Sequence, residues 1–264
     1  MGLGTCEFYL TTTTSKVIYY TLSHTSLSII HRIKQICILY IRSRSLSLLN
    51  YYNYNRFLHA SEVVGRKIVI HGGWDGTELY NDLWIFNSDS FSWIQPKSSG
   101  FGPSPRYGHS LTLTIDGRLI VYGGCSFTES GVPRYNDDIR QLDTDTMLWT
   151  RPKISGHIPT GRYGHSATMM SNNKIFFYGG WGKGGCQSKD IIDDANAYTT
   201  AVLDIKTMYW YVPRRLGYRE AKHLYNHTVC KSSDSSIFIF GGYDGRQSNF
   251  DFFIINVDTD TPTY

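Results

Sequence analysis

The chain has no uninterrupted apolar stretch near the ~18 residues that a membrane-crossing helix needs. Its nearest approach, residues 29–41, is broken by His31, Arg32 and Lys34. That region also lacks the basic, apolar and small-residue order of a secretory signal. Cysteine is scarce. Cys6, Cys37, Cys125, Cys186 and Cys230 form no C-x-x-C pair and no even framework, so neither a zinc site nor a disulfide scaffold is signalled. A reducing, cytoplasmic setting is the expectation. Asn226-His227-Thr228 reads as a glycosylation sequon but falls inside a repeated motif. Residues 56–264 also lack any charge excess. Lys16, Arg32, Lys34, Arg42 and Arg44 against Glu7 account for the whole formal +4 of the chain. No basic stripe remains to suggest nucleic acid as a partner.

Aromatics and glycine are abundant, with 20 Tyr, 13 Phe, 6 Trp and 25 Gly. That content favours sheets over helices. Four Gly-Gly pairs follow apolar runs, at Gly72-Gly73, Gly123-Gly124, Gly179-Gly180 and Gly241-Gly242, and their first glycines lie 51, 56 and 62 residues apart. A period near 50 is that of a propeller blade. Other landmarks keep step. A histidine precedes each pair by 13, 14, 14 and 14 residues: His59, His109, His165 and His227. Downstream stand Trp93, Trp149, Trp210 and Tyr264, each six residues after Asn87, Asp143, Asp204 or Asp258.

These landmarks in fixed order resemble the kelch repeat, in the superfamily of galactose oxidase and kelch-type propellers. The resemblance covers residues 56–264 and implies an all-β propeller arc of about four four-stranded blades, at 56–105, 106–161, 162–222 and 223–264. Each His motif opens strand one, and the apolar run is strand two. Leu83–Phe86 and its counterparts are strand three, Asn or Asp supplies a turn, and the Trp starts strand four and packs between blades. Asp116-Gly117 reads as a hairpin turn between strands one and two of the second blade. Residues 257–264 align with Leu142–Trp149, so the last blade is expected to turn there and stop where strand four would start. Kelch propellers usually close with six or seven blades, so the chain reads as a fragment or an open arc. Residues 1–55 lie outside the repeat and are biased in composition, with a Thr run at 11–14 and a Tyr-rich cluster at 51–54. They are expected to be poorly ordered or loosely helical. Contact with a membrane is the lesser reading of that segment.

The spacing varies chiefly between the double glycine and the aromatic: 20, 25, 30 and 22 residues. The expanding part is the connection from strand two to strand three, read as loops at 74–81, 125–137, 181–197 and 243–249. Variable loops on a constant scaffold are where binding specificity sits, and aromatic and Arg residues are the usual anchors. The candidate contacts are therefore Trp74, Tyr80, Phe127, Arg134, Tyr135, Trp181, Lys183, Tyr243 and Arg246. Equally weighted is a second reading, that Trp74, Trp181 and Tyr243 cap their blades. The expected partner is a protein or peptide, and the expected function a non-catalytic scaffold with no cofactor, metal or catalytic residues. The alternatives are a metal-dependent propeller oxidase or lyase, or a carbohydrate binder. Against the first, Glu78 and Asp82 are followed by Phe86 where the E-x-x-x-D-x-x-x-H iron motif of the plant specifier proteins has His. Nothing here carries over the copper site of galactose oxidase. The four blade histidines are read as a repeated packing or hydrogen-bonding device.

Overall fold

The computed structural model describes residues 56–170, 172–182, 200–215 and 224–262. The expectations for residues 1–55 and for Lys183 fall outside them. No helix occurs among the described residues, which form strands, turns and bends.

Blade one is the sheet β1 (Ala60–Val64), β2 (Lys67–Trp74), β3 (Leu79–Asn87) and β4 (Ser92–Ile94), in that order. The connector β5 (Ser99–Gly100) leads to blade two: β6 (Ser110–Leu113), β7 (Arg118–Tyr122), a side hairpin of β8 (Cys125–Phe127) and β9 (Pro133–Tyr135), then β10 (Ile139–Asp143) and β11 (Leu148–Thr150). A second connector, β12 (Ser155–Gly156), leads to blade three: β13 (Arg162–Tyr163), β14 (Ser166–Met169), β15 (Lys174–Tyr178), β16 (Trp181–Gly182), β17 (Thr200–Asp204) and β18 (Tyr209–Tyr211). Blade four holds β19 (Pro213–Arg215), β20 (Thr228–Lys231), β21 (Ser236–Phe240) and β22 (Phe252–Pro262). Each connector adds a short parallel strand to the outer edge of the next blade, β5 on β11 and β12 on β18, so those sheets have five strands where four were expected.

Strand two is continuously apolar because its two faces serve different cores. Leu119 and Val121 join Val69, Leu83 and Ile85 between blades one and two. Ile120 and Tyr122 join Ile175 and Phe177 between blades two and three. Phe176 and Tyr178 join Ile237 and Ile239 between blades three and four. Each fully buried side chain of this kind contributes about 1.5–3 kcal/mol. Trp149 and Trp210 fill the first and second of these interfaces, as the repeat implies.

Two expectations need correction. The double glycine does not end strand two in blade one. Gly72 and Gly73 take positive φ (62° and 106°) and shift the register between His71 and Gly73. The result is a bulge, after which the strand runs on to Trp74. Trp74 and Tyr80 therefore lie in strands, and the loop between β2 and β3 shrinks to residues 75–78. In blade two the expected loop likewise contains the β8–β9 hairpin.

The second correction concerns the turn before strand four. Asn87, Asp143 and Asp204 each accept backbone N–H bonds from two and three residues ahead. The chain then passes through a left-handed residue four places on: Phe91, Met147 or Met208, at φ 51°, 54° and 52°. Pro262 holds that place after Asp258. Its ring fixes φ near −65°, so the same turn cannot close. β22 instead runs straight through and pairs with β19.

Candidate interaction surface

The first strands of successive blades are neighbours, β1 with β6, β6 with β14 and β14 with β20, and so line the inside of the arc. Just before each strand one is a residue in left-handed conformation: Leu58, Gly108, Gly164 and Asn226. Their backbones form a ladder from blade to blade. Gly108 donates to the carbonyl of Leu58, Gly164 to Gly108, and Asn226 to Gly164, each at 2.7 Å.

The histidine that follows is used sideways, across the blade boundary. His165 Nε2 lies 3.0 Å from Ser110 Oγ, and His227 Nε2 lies 2.9 Å from Ser166 Oγ. Blade one has Ala60 in place of that serine, and His109 Nε2 meets Nδ1 of His71 at 3.0 Å instead. Burial, and then the charge of Arg106, lowers His71 to about 3. Burial, and then the charge of Arg162, lowers His165 to about 3. Burial lowers His227 to about 4, and burial followed by the neighbouring His71 lowers His109 well below its ordinary value. These side chains are neutral interface pieces, as the repeated-role reading expects. Among the described residues no three His, Cys, Asp or Glu side chains converge into a metal-ligand group.

The arginine that opens each of the first three motifs fastens its own blade. Arg56, Arg106 and Arg162 donate to the carbonyls of Gly72, Gly123 and Gly179 at 3.2, 2.9 and 3.0 Å. Arg106 also grips Asp138 with two nitrogens, at 2.7 and 3.2 Å. Arg56 does the same with Asp82. Burial pushes the Asp82 carboxyl up, but the hydrogen bonds and charge of Arg56 outweigh it, leaving it below the usual range. Asp82 is thus the counter-ion of Arg56.

Above this frame lies a band of rings. In every blade the aromatic of the opening motif pairs its backbone with the residue after the double glycine. These pairs are Phe57 with Trp74, Tyr107 with Cys125, Tyr163 with Trp181, and Tyr225 with Tyr243. Trp74, Trp181 and Tyr243 are thus tied by backbone pairing to the opening motif of their own blade, and they also join a continuous array. Trp74 stacks on Tyr107 at 5.5 Å between centroids and meets Phe127 edge-on at 5.8 Å. Tyr107 meets Tyr163, which stacks on Tyr135 and leans on Tyr225. Trp181 and Tyr243 both contact Tyr225. Five of the nine residues singled out from sequence are brought together here: Trp74, Phe127, Tyr135, Trp181 and Tyr243.

Tyr80, Arg134 and Arg246 take other places. The Tyr80 hydroxyl donates to Asp75 at 2.6 Å, and its ring lies under the Arg56 guanidinium at 4.2 Å. It buttresses the 75–78 turn. Arg134 is exposed on β9, and Arg246 sits in an exposed turn capped by Asp244. Blade one has the same cap: Asp75 accepts from the N–H groups of Thr77 and Glu78. The Glu78 N–H and then the Tyr80 hydroxyl draw its carboxyl down to about 2. Sequence reasoning missed Phe57, Tyr107, Tyr163 and Tyr225 as members of the surface. Their signal was present, one aromatic two residues before every blade histidine.

Comparison with known proteins agrees with this architecture. The family model described as the KLHDC2/KLHL20/DRC7 Kelch-repeats domain matches residues 31–180, more than half of the chain. Acyl-CoA-binding domain-containing protein 4 of Arabidopsis thaliana is 31% identical over 191 residues, covering 71% of this chain and 26% of that protein. Rab9 effector protein with kelch motifs of Xenopus laevis is 34% identical over 137 residues, covering 52% of this chain and 36% of that protein. The chain thus spans about a quarter and about a third of the length of these two relatives. The solved structure of YjhT superposes with a TM-score of 0.54 at 16% identity, covering 78% of this chain and 66% of that one, a likeness of fold. With the repeated landmarks, the blade geometry and the family match in agreement, the chain belongs to the kelch-repeat family.

Proposed function

We propose that the aromatic band is a docking surface for a protein or peptide and that the chain works as a non-catalytic interaction module. The observation that carries this reading is the continuity of the band. Rings from all four blades meet across every blade boundary, half-buried, with the Phe127 tip 39% exposed. Large, rigid aromatics with polar tips are the side chains that anchor interfaces. The polar groups beneath them are already engaged: the arginines hold carbonyls and carboxylates, and the histidines bond across blade boundaries. That leaves side chains suited to recognition rather than to acid–base work.

The packing of the rings favours a peptide over a sugar. Trp74 is stacked on one ring and met edge-on by another, and Tyr135 and Tyr163 stack on each other. Few flat faces remain open for a pyranose to lie on. The relative named as a Rab9 effector points the same way by its name. The test compares partners captured by the full chain with those captured by a Phe127→Ser/Tyr135→Ser variant. The control is Ile115→Ser, an exposed change in the β6–β7 turn at the far end of the blade. Loss of affinity of about tenfold or more is expected for the band variant alone, the scale of an aromatic anchor. A partner bound equally by all three would refute the proposal.

A further inference from the structure

Across residues 56–264 acidic and basic residues balance, yet they are sorted by place. The connections from strand two to strand three border the aromatic band, and among the described residues their carboxylates outnumber their cations. Asp75 and Glu78 stand there in blade one, Glu129 and Asp137 in blade two, and Asp244 and Asp251 in blade four. Arg134 and Arg246 are the guanidiniums of the same connections. Asp82 and Asp138 add nothing to this excess, because Arg56 and Arg106 neutralise them. The exposed cations Lys97, Arg151 and Lys153 lie elsewhere, in the connectors that lead to β5 and β12. Those connectors start at the opposite end of the blades. Ser99 and Ser155 donate there to the carbonyls of Met147 and Met208, in the turns before strand four.

Two of the carboxylates are built into the border of the band. Blades one and four share the order Gly-Gly-aromatic-Asp-Gly, at 72–76 and 241–245. In each, the ring joins the band and the next residue is the acid. One oxygen of Asp75 accepts the N–H groups of Thr77 and Glu78, and one oxygen of Asp244 those of Arg246 and Gln247. The Gln247 N–H, and then that of Arg246, draws Asp244 below its ordinary range, as the matching turn does for Asp75. Both stay ionised, and short turns hold them in place. Glu129 is exposed two residues beyond Phe127, whose ring meets Trp74. Apolar rings bordered by fixed negative charge suit a side chain with an apolar stem and a cationic head. The fold already holds one such group: the Arg56 guanidinium lies over the Tyr80 ring and bonds to Asp82.

We propose that the partner docked on the aromatic band presents a cationic segment, with arginine side chains interleaved with apolar ones. This rests on the band being the docking surface. The apolar side chains and the arginine stems pack on the rings, and the guanidinium heads reach the carboxylates of blades one, two and four. An acidic segment is repelled by the same groups, and a neutral one gains the ring contacts alone.

The probes are three fluorescent peptides of equal length in which phenylalanine alternates with arginine, glutamine or glutamate. Each is titrated against the full chain and read by anisotropy. The arginine peptide should bind about tenfold tighter than the glutamine peptide, and the glutamate peptide most weakly. Raising the ionic strength should weaken the arginine peptide and leave the glutamine peptide unchanged. Glu78→Gln/Glu129→Gln removes exposed charges that cap no turn, and should weaken the arginine peptide about fivefold with no effect on the glutamine peptide. Asp145→Asn, an equal loss of exposed charge at the far end of blade two, should change neither. Phe127→Ser/Tyr135→Ser should weaken both. The inference is overturned if the glutamate peptide binds as well as the arginine peptide, if none binds saturably, or if the Glu78/Glu129 variant behaves like Asp145→Asn. In the first and last of these cases, a glutamine peptide weakened by Phe127→Ser/Tyr135→Ser leaves the docking surface itself standing. An arginine peptide bound at full affinity by Phe127→Ser/Tyr135→Ser overturns the docking surface, and this inference with it.

Discussion

Lowering the pH from 7 to 5 should unfold this chain through its inter-blade histidines. His71 and His165 are held at about 3 and His227 at about 4, with burial the largest cause in each. In the unfolded chain each titrates near 6.5. Between those values the unfolded state binds more protons than the folded one, so stability rises with pH. It is complete above about pH 7 and is lost as the pH falls through 6.5 toward the folded values. From pH 7 to pH 5 each histidine costs about 2 kcal/mol, and the three together about 6 kcal/mol. His109, lowered for the same reason, acts in the same direction. A loss of that size rivals the total stability of a typical domain, about 5–15 kcal/mol. The carboxylates act in a separate window. Asp82 and Asp138 lie below their ordinary range because Arg56 and Arg106 outweigh burial, and their contribution is lost only below about pH 4. Urea unfolding followed by tryptophan fluorescence at pH 7, 6 and 5 reads the effect, since Trp149 and Trp210 are buried at blade boundaries. His165→Gln, which keeps an N–H for Ser110 but does not titrate, should remove about a quarter of the slope, the share of one of four such histidines. Stability that does not change between pH 7 and pH 5 would refute the neutral-interface reading.

Two further outcomes follow from the blade boundaries. Gly123→Ala forces a Cβ to within 2.7 Å of Arg162 O at φ 70°, whereas at Gly65 nothing lies within 4 Å. The first should cost at least ~2 kcal/mol in denaturant unfolding and the second about 1 kcal/mol, the backbone share alone. Asp138→Asn removes the counter-charge from Arg106, which is 1% exposed. The loss should be about 3–5 kcal/mol, read as a fall in thermal midpoint.

The repeat and the shared role of the histidines were legible because each rests on residues recurring at a fixed interval. Positions that differ between repeats were not. A double glycine reports that the backbone needs positive φ, but not whether the strand stops there or bulges and continues. Only the pairing of β2 with β3 decides that, and it moved Trp74 and Tyr80 out of a loop. The turn expected near Asp258 was read from the acidic residues it shares with blades two and three. The residue that forbids it, Pro262, stands where those blades need a left-handed conformation. The exchange of Ser for Ala60, compensated by His71, became visible only when His109 was seen to cross to the neighbouring blade. Four of the nine rings of the aromatic band were missed for a related reason. Phe57, Tyr107, Tyr163 and Tyr225 read as parts of separate motifs until the fold set them against the residues after each double glycine.

The most direct test of the docking surface is site-specific photo-crosslinking. A crosslinker replaces Phe127 on the band in one protein and Ile115 at the far end of the same blade in another, and both are exposed to cell extract. Saturable cross-links to the same partner from position 127, competed by unlabelled chain and absent from position 115, are the result this account predicts. Cross-links from position 115 alone, or equally from both, would contradict it.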